Sequence, residues 1–400
     1  MVPSSEVCVQ PKVRTSQVGC TVRSLSHHLA LLPAKGEITT RWLYAAPGSS
    51  TNEKALNLLV VPFPYRIDGN AFAPDSKVAL ARFFSLRQTW LSWNNRRIRP
   101  RAISRFLREL VNYAGSEVQR VHGLVLPELA LDGTNIVEIA EELARTTDLE
   151  LFVSGIFIDS RRIHPYPLNK VFSAIFQRGR ILTSWEQAKH HRWRLDGDQV
   201  RRYQLGDALD PTHLWWEKIA LESRECTLSV FRHGASVATL VCEDLARIDP
   251  VQTALRAVGP NLVIVLLMDG PQFEKRWPGR YATILADDPG SAVLTLTSLG
   301  MVQRSTFPGE EERREIGLWK ETASMAAREL KLDAGRRRAK KSQPGKRKPE
   351  GGTGAPPSGS VACAQAEACG MSRHEPGSSV KTCATLPFAL SGVSAPYSAV

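Results

Sequence analysis

The 400-residue chain is 42% hydrophobic and 23% charged, a composition typical of a globular protein with a sizeable core. Its longest apolar run, residues 262–268, is too short to cross a bilayer, and the first residues lack the apolar stretch of a secretory signal. We therefore expect a cytoplasmic protein with no part in a membrane. Seven cysteines without a CxxC pair give neither zinc-site spacing nor a thioredoxin-like motif.

The net charge of +12 is concentrated near the end of the chain, where residues 335–350 hold eight Lys or Arg and one Glu. Residues 335–400 are rich in Lys, Pro, Gly and Ser, so we predict a mostly disordered tail, whether native or not. Its basic run, 336–348, could bind nucleic acid or simply be solvated. We predict a folded domain over 55–334 and an N-terminal extension, with a candidate strand and helix, over 1–54.

Apolar runs predict strands in the domain, and amphipathic segments predict helices. The predicted strands are 56–63, 122–128, 149–158, 180–189, 235–244, 261–270, 291–300 and 314–321, and the predicted helices are 102–121 and 135–148. Their alternation indicates an α/β domain, and strand pairs without an intervening helix indicate a mixed sheet. Residues 83–101 interleave aromatics and arginines, for which we favour an amphipathic helix over a surface that stacks nucleic-acid bases.

Three predicted strands end on ionisable residues that suit one another chemically: Glu128, Lys189 and Cys242. Reactive groups of open α/β sheets collect beyond the carboxyl ends of strands. A helix N-terminus after Cys242 would stabilise a nucleophilic thiolate, and Glu128 could act as general base. Lys189 could hold the oxyanion of a tetrahedral intermediate, with a backbone N–H near Glu243 as the second donor. The product would be a thioester acyl-enzyme, which water then attacks.

The segments LPELALDG, KHHRW and VCEDLAR, with RWPGRYATILADDPG after them, resemble the motifs of the nitrilase, or carbon–nitrogen hydrolase, superfamily. The Cys-Glu-Asp form is similar to its glutaminase-type branch. The resemblance implies a four-layer α-β-β-α sandwich with mixed sheets, a Glu128-Lys189-Cys242 triad, and neither a metal nor an organic cofactor. It also implies hydrolysis of a non-peptide C–N bond in a small amide, carbamoyl compound or nitrile, and a homodimer formed through helices beside the site.

One departure from this pattern is the lack of the second glutamate that many members carry shortly after the lysine. Asp196, Asp198 or Gln199 could stand in for it. This leaves an alternative open, in which the chain is a weak or inactive nitrilase-fold interaction or signalling module, linked to nucleic acid or phage defence.

Two further residue types in the chain have simpler explanations than a role in chemistry. His190 and His191 are adjacent, so in a strand they would point to opposite faces and could not bind one metal together. We expect them to be surface or supporting residues. Cys226 has the pattern of an ordinary strand residue.

Overall fold

The computed structural model describes residues 7–9, 29–31, 38–45, 56–75, 82–94, 96–160, 162–232, 235–322, 324–333 and 362–364. The α-helices in these ranges are α1 Pro100–Val118, α2 Ile136–Thr146, α3 Gly197–Arg202, α4 Thr253–Val258, α5 Trp277–Asp287 and α6 Leu299–Arg304. No helix among the described residues is long and apolar enough to cross a membrane.

The strands fall into an earlier and a later group along the chain. The earlier ones are β1 Val7–Val9, β2 Leu29–Leu31, β3 Thr39–Tyr44, β4 Leu58–Val60, β5 Phe72–Asp75, β6 Arg82–Leu86, β7 Ser92–Trp93, β8 Arg96–Arg97, β9 Gly123–Asp132, β10 Leu151–Ile158 and β11 Leu168–Gln177. The later ones are β12 Arg180–Ala188, β13 Arg194–Leu195, β14 Trp215–Glu217, β15 Glu225–Phe231, β16 Ala235–Val241, β17 Leu262–Leu267, β18 Ala292–Thr297, β19 Glu315–Lys320, β20 Arg328–Lys331 and β21 Ala362–Ala364.

Two large mixed sheets form the centre of the fold. The first sheet has the order β12-β11-β10-β9-β4-β21, and the second has the order β20-β19-β18-β17-β16-β15-β3. In the first, β4, β9 and β10 run parallel, and β11 and β12 are added antiparallel. In the second, β16, β17 and β18 run parallel between antiparallel neighbours. A smaller, four-stranded sheet has the order β13-β14-β6-β5.

The layers follow from side chains that alternate between the two faces of each strand. In β9, Leu124 and Leu126 pack with α1 and α2 on the outer face of the first sheet. Val125 points the other way, into the core shared with the second sheet. Leu255 of α4 and Leu285 of α5 belong to the same continuous cluster of buried residues, which they join from the face of the second sheet that lies away from the first. The order is therefore α-β-β-α, which confirms the expected four-layer sandwich.

All the predicted strands and both predicted helices are found, with ends that move by a few residues. The helix favoured for 83–101 is wrong, because these residues form β6, β7 and β8 and the helix begins only at Pro100. The pyrrolidine ring of a proline disfavours helical geometry in the residue before it. Arg99 is accordingly extended, at φ −71° and ψ 144°, so no helix can run through it.

The second sheet begins before residue 55, the predicted start of the domain. Strand β3 lies within residues 1–54, yet it pairs in parallel with β15 and forms an edge of that sheet. Ile38 and Ala45, at its two ends, belong to the core between the sheets. In the predicted tail the structure describes only β21, which pairs antiparallel with β4. The basic run 336–348 lies outside the described residues.

Candidate active site

Glu128 lies on β9, at a point where the strand is irregular. The sequence predicts a strand end there, but β9 continues to Asp132. Leu129 has a left-handed backbone, at φ +60°, and the pairing of β9 with β10 shifts register between Ser154 and Ile156. Such a bulge redirects side chains next to it. The Glu128 carboxylate is held inside the protein, where it contacts residues from β11 and from the end of β12.

Lys189 is the first residue after β12, and its backbone N–H donates to the carbonyl of Asn169 at 2.9 Å. Its side chain is 1% exposed. The ammonium Nζ donates to Oε1 of Glu128 at 2.9 Å and to Oε2 of Glu217 at 2.8 Å. The structure therefore brings the predicted base and the predicted cation into direct contact.

Glu217, on β14, is a residue of this candidate site that the sequence analysis missed. Its Oε2 also accepts from the backbone N–H of Trp193 at 3.0 Å. The Asn169 amide bridges the two carboxylates, donating to Oε1 of Glu128 at 2.8 Å and to Oε1 of Glu217 at 2.9 Å. Lys189 thus lies between two buried carboxylates that an amide holds in place. We call Glu128, Asn169, Lys189 and Glu217 the carboxylate–lysine cluster.

Only a weak sequence signal pointed to Glu217. It follows two tryptophans in LWWEKI, and β14 buries Trp215 and Glu217 while exposing Trp216. A glutamate on the buried face of a short strand needs a partner, because an unpaired buried charge is costly. The partner lies 28 residues earlier in the chain, too far for motif spacing to reveal it.

The expected substitutes for the second glutamate have other partners. Asp196 and Gln199 form a capping box at the start of α3, each accepting from the backbone N–H of the other. Asp198 is 85% exposed and forms an ion pair with Arg201 at 2.7 Å. The carboxylates that contact the Lys189 ammonium are those of Glu128 and Glu217, so Glu217 has the position for which Asp196, Asp198 and Gln199 were considered.

Cys242 follows β16 directly and begins a 3₁₀ helix, Cys242–Leu245. Its backbone is left-handed, at φ +47°, a conformation that is strained for a residue with a side chain. The thiol is buried, and the Met268 backbone N–H donates to its sulfur. Burial raises its pKa well above the usual value, and the Glu128 charge raises it further while Lys189 opposes. Burial and the Glu128 charge therefore both favour the neutral thiol over the thiolate that a helix N-terminus would stabilise.

The charges of the carboxylate–lysine cluster are set by its burial and by mutual contact. Burial raises the pKa of Glu128; the Lys189 charge opposes this, and the Glu217 charge adds to it. Burial by itself would lower the pKa of Lys189, but the two carboxylates raise it well above the usual value. The lysine accordingly stays a cation at neutral pH, and Glu128 becomes a stronger base than an exposed glutamate.

The other residues after the lysine and the cysteine support the turns. Asp244 is fully buried and accepts from the backbone N–H of His190 and from Nδ1 of His191 at 2.9 Å. Burial lowers the pKa of His190. The Glu243 side chain lies beside Cys242, at 3.9 Å from Arg247. Among the described residues, no group of three or more His, Cys, Asp or Glu could hold a metal ion.

A second buried cluster, Tyr203, Asp269 and Arg276, lies at the end of β17. The Tyr203 hydroxyl donates to Oδ1 of Asp269 at 2.5 Å, and Arg276 Nη2 donates to the same oxygen at 2.9 Å. Asp269 directly follows Met268, which contacts the Cys242 sulfur. We call these three residues the tyrosine–aspartate cluster.

Gly155 packs against the backbone of Glu128, which gives a first prediction. A Cβ at residue 155 would lie 2.4 Å from Glu128 Cα, so Gly155→Ala must shift that backbone. We expect a loss of about 1–3 kcal/mol in the free energy of unfolding, measured by denaturant titration. Gly115→Ala is the control, since nothing lies within 4 Å of its Cβ in α1, and it should gain about 0.5–1 kcal/mol. Equal stability of the two variants would contradict the prediction.

Comparison with known proteins gives a distant structural likeness. No protein-family profile and no curated protein matches the chain. Three similar solved structures are the CN-hydrolase superfamily protein XC1258 of Xanthomonas campestris, Nit3 of Saccharomyces cerevisiae and a carbon–nitrogen hydrolase of Helicobacter pylori G27. The identities are 12%, 12% and 9%, with TM-scores of 0.34, 0.35 and 0.36.

In the same order, the matches cover 50%, 56% and 62% of this chain, and 70%, 77% and 74% of the matched chains. Likeness at this level assigns no activity. The packing of helices and sheets described above stands independently of it. The four-layer α-β-β-α architecture expected from the strand-end motifs is shown by the order of the sheets and the packing of the helices on them.

Proposed function

We propose that the chain is a cysteine-dependent hydrolase that cleaves a non-peptide C–N bond in a small amide or carbamoyl compound through a thioester intermediate. The proposal rests mainly on the hydrogen bonding of the two carboxylate oxygens of Glu128. One carboxylate oxygen, Oε1, is held by Lys189 and Asn169. The other, Oε2, is buried and has no hydrogen-bond partner within the described ranges, and the Glu128 charge acts on the Cys242 thiol. A carboxylate that is held in place through one oxygen and can accept a proton on the other is suited to general-base catalysis.

In the proposed first half-reaction, the Cys242 sulfur attacks the carbonyl carbon and the thiol proton passes to Glu128 Oε2. The tetrahedral intermediate then collapses, the C–N bond breaks, and Glu128 returns the proton to the leaving amine. Water next attacks the thioester with Glu128 again as base. The products are a carboxylic or carbamic acid and the regenerated thiol.

Lys189 supplies the charge that stabilises the intermediate. An ammonium group has three N–H donors, and two of them are directed to Glu128 and Glu217. The third remains for the substrate oxygen as it becomes negative. We propose the backbone N–H near Glu243, in the turn after Cys242, as the second donor. Donors fixed before the reaction need no reorganisation during it, which is the source of their catalytic effect.

The position of Glu217 weakens the alternative in which the chain is an inactive interaction module. That alternative gained support from the lack of a second glutamate after Lys189. Glu217 contacts Lys189 at 2.8 Å, so the reason for expecting an incomplete site no longer holds. We therefore favour the enzyme.

The test is covalent labelling with iodoacetamide at neutral pH, with the modified cysteines mapped by mass spectrometry. We expect fast labelling at Cys242 in the wild type and about 100-fold slower labelling in Glu128→Gln, because general-base assistance contributes about that much. Cys226 is the internal control, because it is equally buried and burial raises its pKa to about 12.

Three labelling results distinguish the possible outcomes. Fast labelling of Cys242 alone, dependent on Glu128, supports the activated nucleophile. Equal rates at Cys242 and Cys226 mean that both report local opening, and they count against the proposal. Labelling of Cys242 that is unchanged in Glu128→Gln would remove Glu128 from the role of base.

A further inference from the structure

The tyrosine–aspartate cluster contains an unsatisfied acceptor next to the nucleophile. Asp269 is 4% exposed. Its Oδ1 accepts from Tyr203, from Arg276 and from the backbone N–H of Gly270 at 2.7 Å. Its Oδ2 is buried and has no hydrogen-bond partner in the part of the chain that the structure describes. A buried carboxylate oxygen without a donor is costly, so this atom needs a donor that the described residues do not supply.

Tyr203 offers acceptor capacity at the same place. It is buried in a hydrophobic cluster and its single O–H donates to Asp269. Its oxygen accepts from Arg276, which leaves one lone pair. Burial raises its pKa well above the usual value, and the charges of Asp269 and, more weakly, Cys242 add to this. The hydroxyl therefore stays neutral.

Glu243 adds a carboxylate on the other side of the thiol, since it follows Cys242 directly in the chain. Its side chain is mostly buried and its contact with Arg247 is long, at 3.9 Å. Burial raises the pKa of Glu243, and the Asp269 charge is among the further causes. Asp269 follows Met268, whose backbone N–H donates to the Cys242 sulfur, so both carboxylates belong to residues next to those that hold the thiol.

The formal charges around the thiol are unbalanced. Five acids face three bases: Glu128, Glu217, Glu243, Asp244 and Asp269 against Lys189, Arg247 and Arg276. The site thus carries an excess of two negative charges where water is largely excluded. A cation brought into this region would be attracted strongly, and an anion would be repelled.

We propose that the substrate of this site carries a positively charged amine or guanidine group, which Asp269 and Glu243 bind while Tyr203 accepts one of its N–H donors. This assignment rests on the proposed hydrolysis and narrows its substrate class. A neutral apolar substrate would leave Asp269 Oδ2 unpaired, and a carboxylate-bearing one would meet two like charges. An ammonium or guanidinium group satisfies the acceptors and offsets the excess charge.

The experiment compares three amides of similar size: 4-aminobutanamide, pentanamide and succinamate, which are cationic, neutral and anionic. Binding is measured by calorimetry on Cys242→Ala, which cannot form the thioester. Hydrolysis is measured on the wild type by ammonia release, with thioester detected by intact-protein mass. We expect 4-aminobutanamide to bind at least about tenfold more tightly than pentanamide, the ratio that one favourable charge contact supplies.

Variants test the residues named. Glu243→Gln and Asp269→Asn, each in the Cys242→Ala background, should each reduce the preference for the cation by about tenfold, with pentanamide binding changed little. Asp198→Asn, an exposed acid on α3, should leave the preference unchanged. Thermal unfolding checks that Asp269→Asn remains folded, and Glu243→Gln, at a partly exposed position, provides the test if it does not.

The two proposals fail in different ways. Thioester formation without a preference for the cation overturns this inference and leaves the hydrolase standing. Tight binding of 4-aminobutanamide without any thioester supports the ligand class and counts against the hydrolase. Equal or weaker binding of 4-aminobutanamide relative to succinamate overturns the inference directly.

Discussion

Lys189→Met should lower the free energy of unfolding by about 3–5 kcal/mol at pH 7, the cost of removing one partner from a buried ion pair. Hydrolysis should be lost with it. Methionine fills similar space, so the effect comes from charge. Without the ammonium, Glu128 and Glu217 remain buried, and only Asn169 links them. Denaturant titration measures the stability, and ammonia release measures the activity.

The pH dependence of this loss has a definite sign. In Lys189→Met the pKa of Glu128 loses the charge that lowers it, while burial and Glu217 still raise it. A carboxyl group with a raised folded-state pKa favours folding when it is protonated. The deficit relative to the wild type should therefore shrink as pH falls toward the unfolded value of about 4.3, and grow as pH rises through the folded pKa.

Lys170→Met is the matched control, because Lys170 also pairs with two glutamates. Its contacts with Glu186 and Glu222, at 3.4 Å and 2.8 Å, involve carboxylates that are about one-third exposed. Exposed ion pairs contribute about 0–1 kcal/mol. Equal destabilisation by Lys170→Met and Lys189→Met would mean that the buried cluster has no special role in stability.

Glu217→Gln should reduce kcat/KM by about 100-fold, the effect of a small displacement of a catalytic group. It removes one carboxylate that holds Lys189 and leaves Glu128 as the remaining one. It should also move the acidic limb of the kcat/KM profile to lower pH. Burial raises the pKa of Glu128 and the Glu217 charge raises it further, so the base of the variant loses its proton at lower pH.

Asp198→Asn is the control for Glu217→Gln, since sequence reasoning proposed Asp198 for the same role. The side chain of Asp198 contacts Arg201 at the surface, so we expect an unchanged rate and an unchanged pH profile. A general loss of stability in Glu217→Gln would lower activity without moving the acidic limb. The shift of the limb therefore separates a positioning role from a merely structural one, and a larger effect of Asp198→Asn would reverse the assignment.

Local pattern in the sequence determined the strands and the identity of three site residues. The apolar runs before Lys189 and Cys242 end where the strands end, whereas the run before Glu128 marks the strand but not its end, since β9 continues to Asp132. Such runs are visible in the sequence because the period of a strand is a property of neighbouring residues. Because β16 and β17 run parallel, their carboxyl ends lie at the same edge of the second sheet. Cys242 and Asp269, which follow these strands, therefore both lie at that edge. The α/β class followed from the same alternation.

Tertiary structure alone decided the partners of these residues. Glu217 meets Lys189 because β14 joins the small sheet beside β6, a pairing that no local spacing encodes. Asn169 bridges the two carboxylates from β11 in the same way. The pKa directions at Cys242 and Glu128 depend first on burial, which is the sum of contacts from distant segments. The local sequence therefore indicated Glu128, Lys189 and Cys242 as candidate reactive groups. Long-range packing determined the contacts of these side chains and the directions of their pKa shifts.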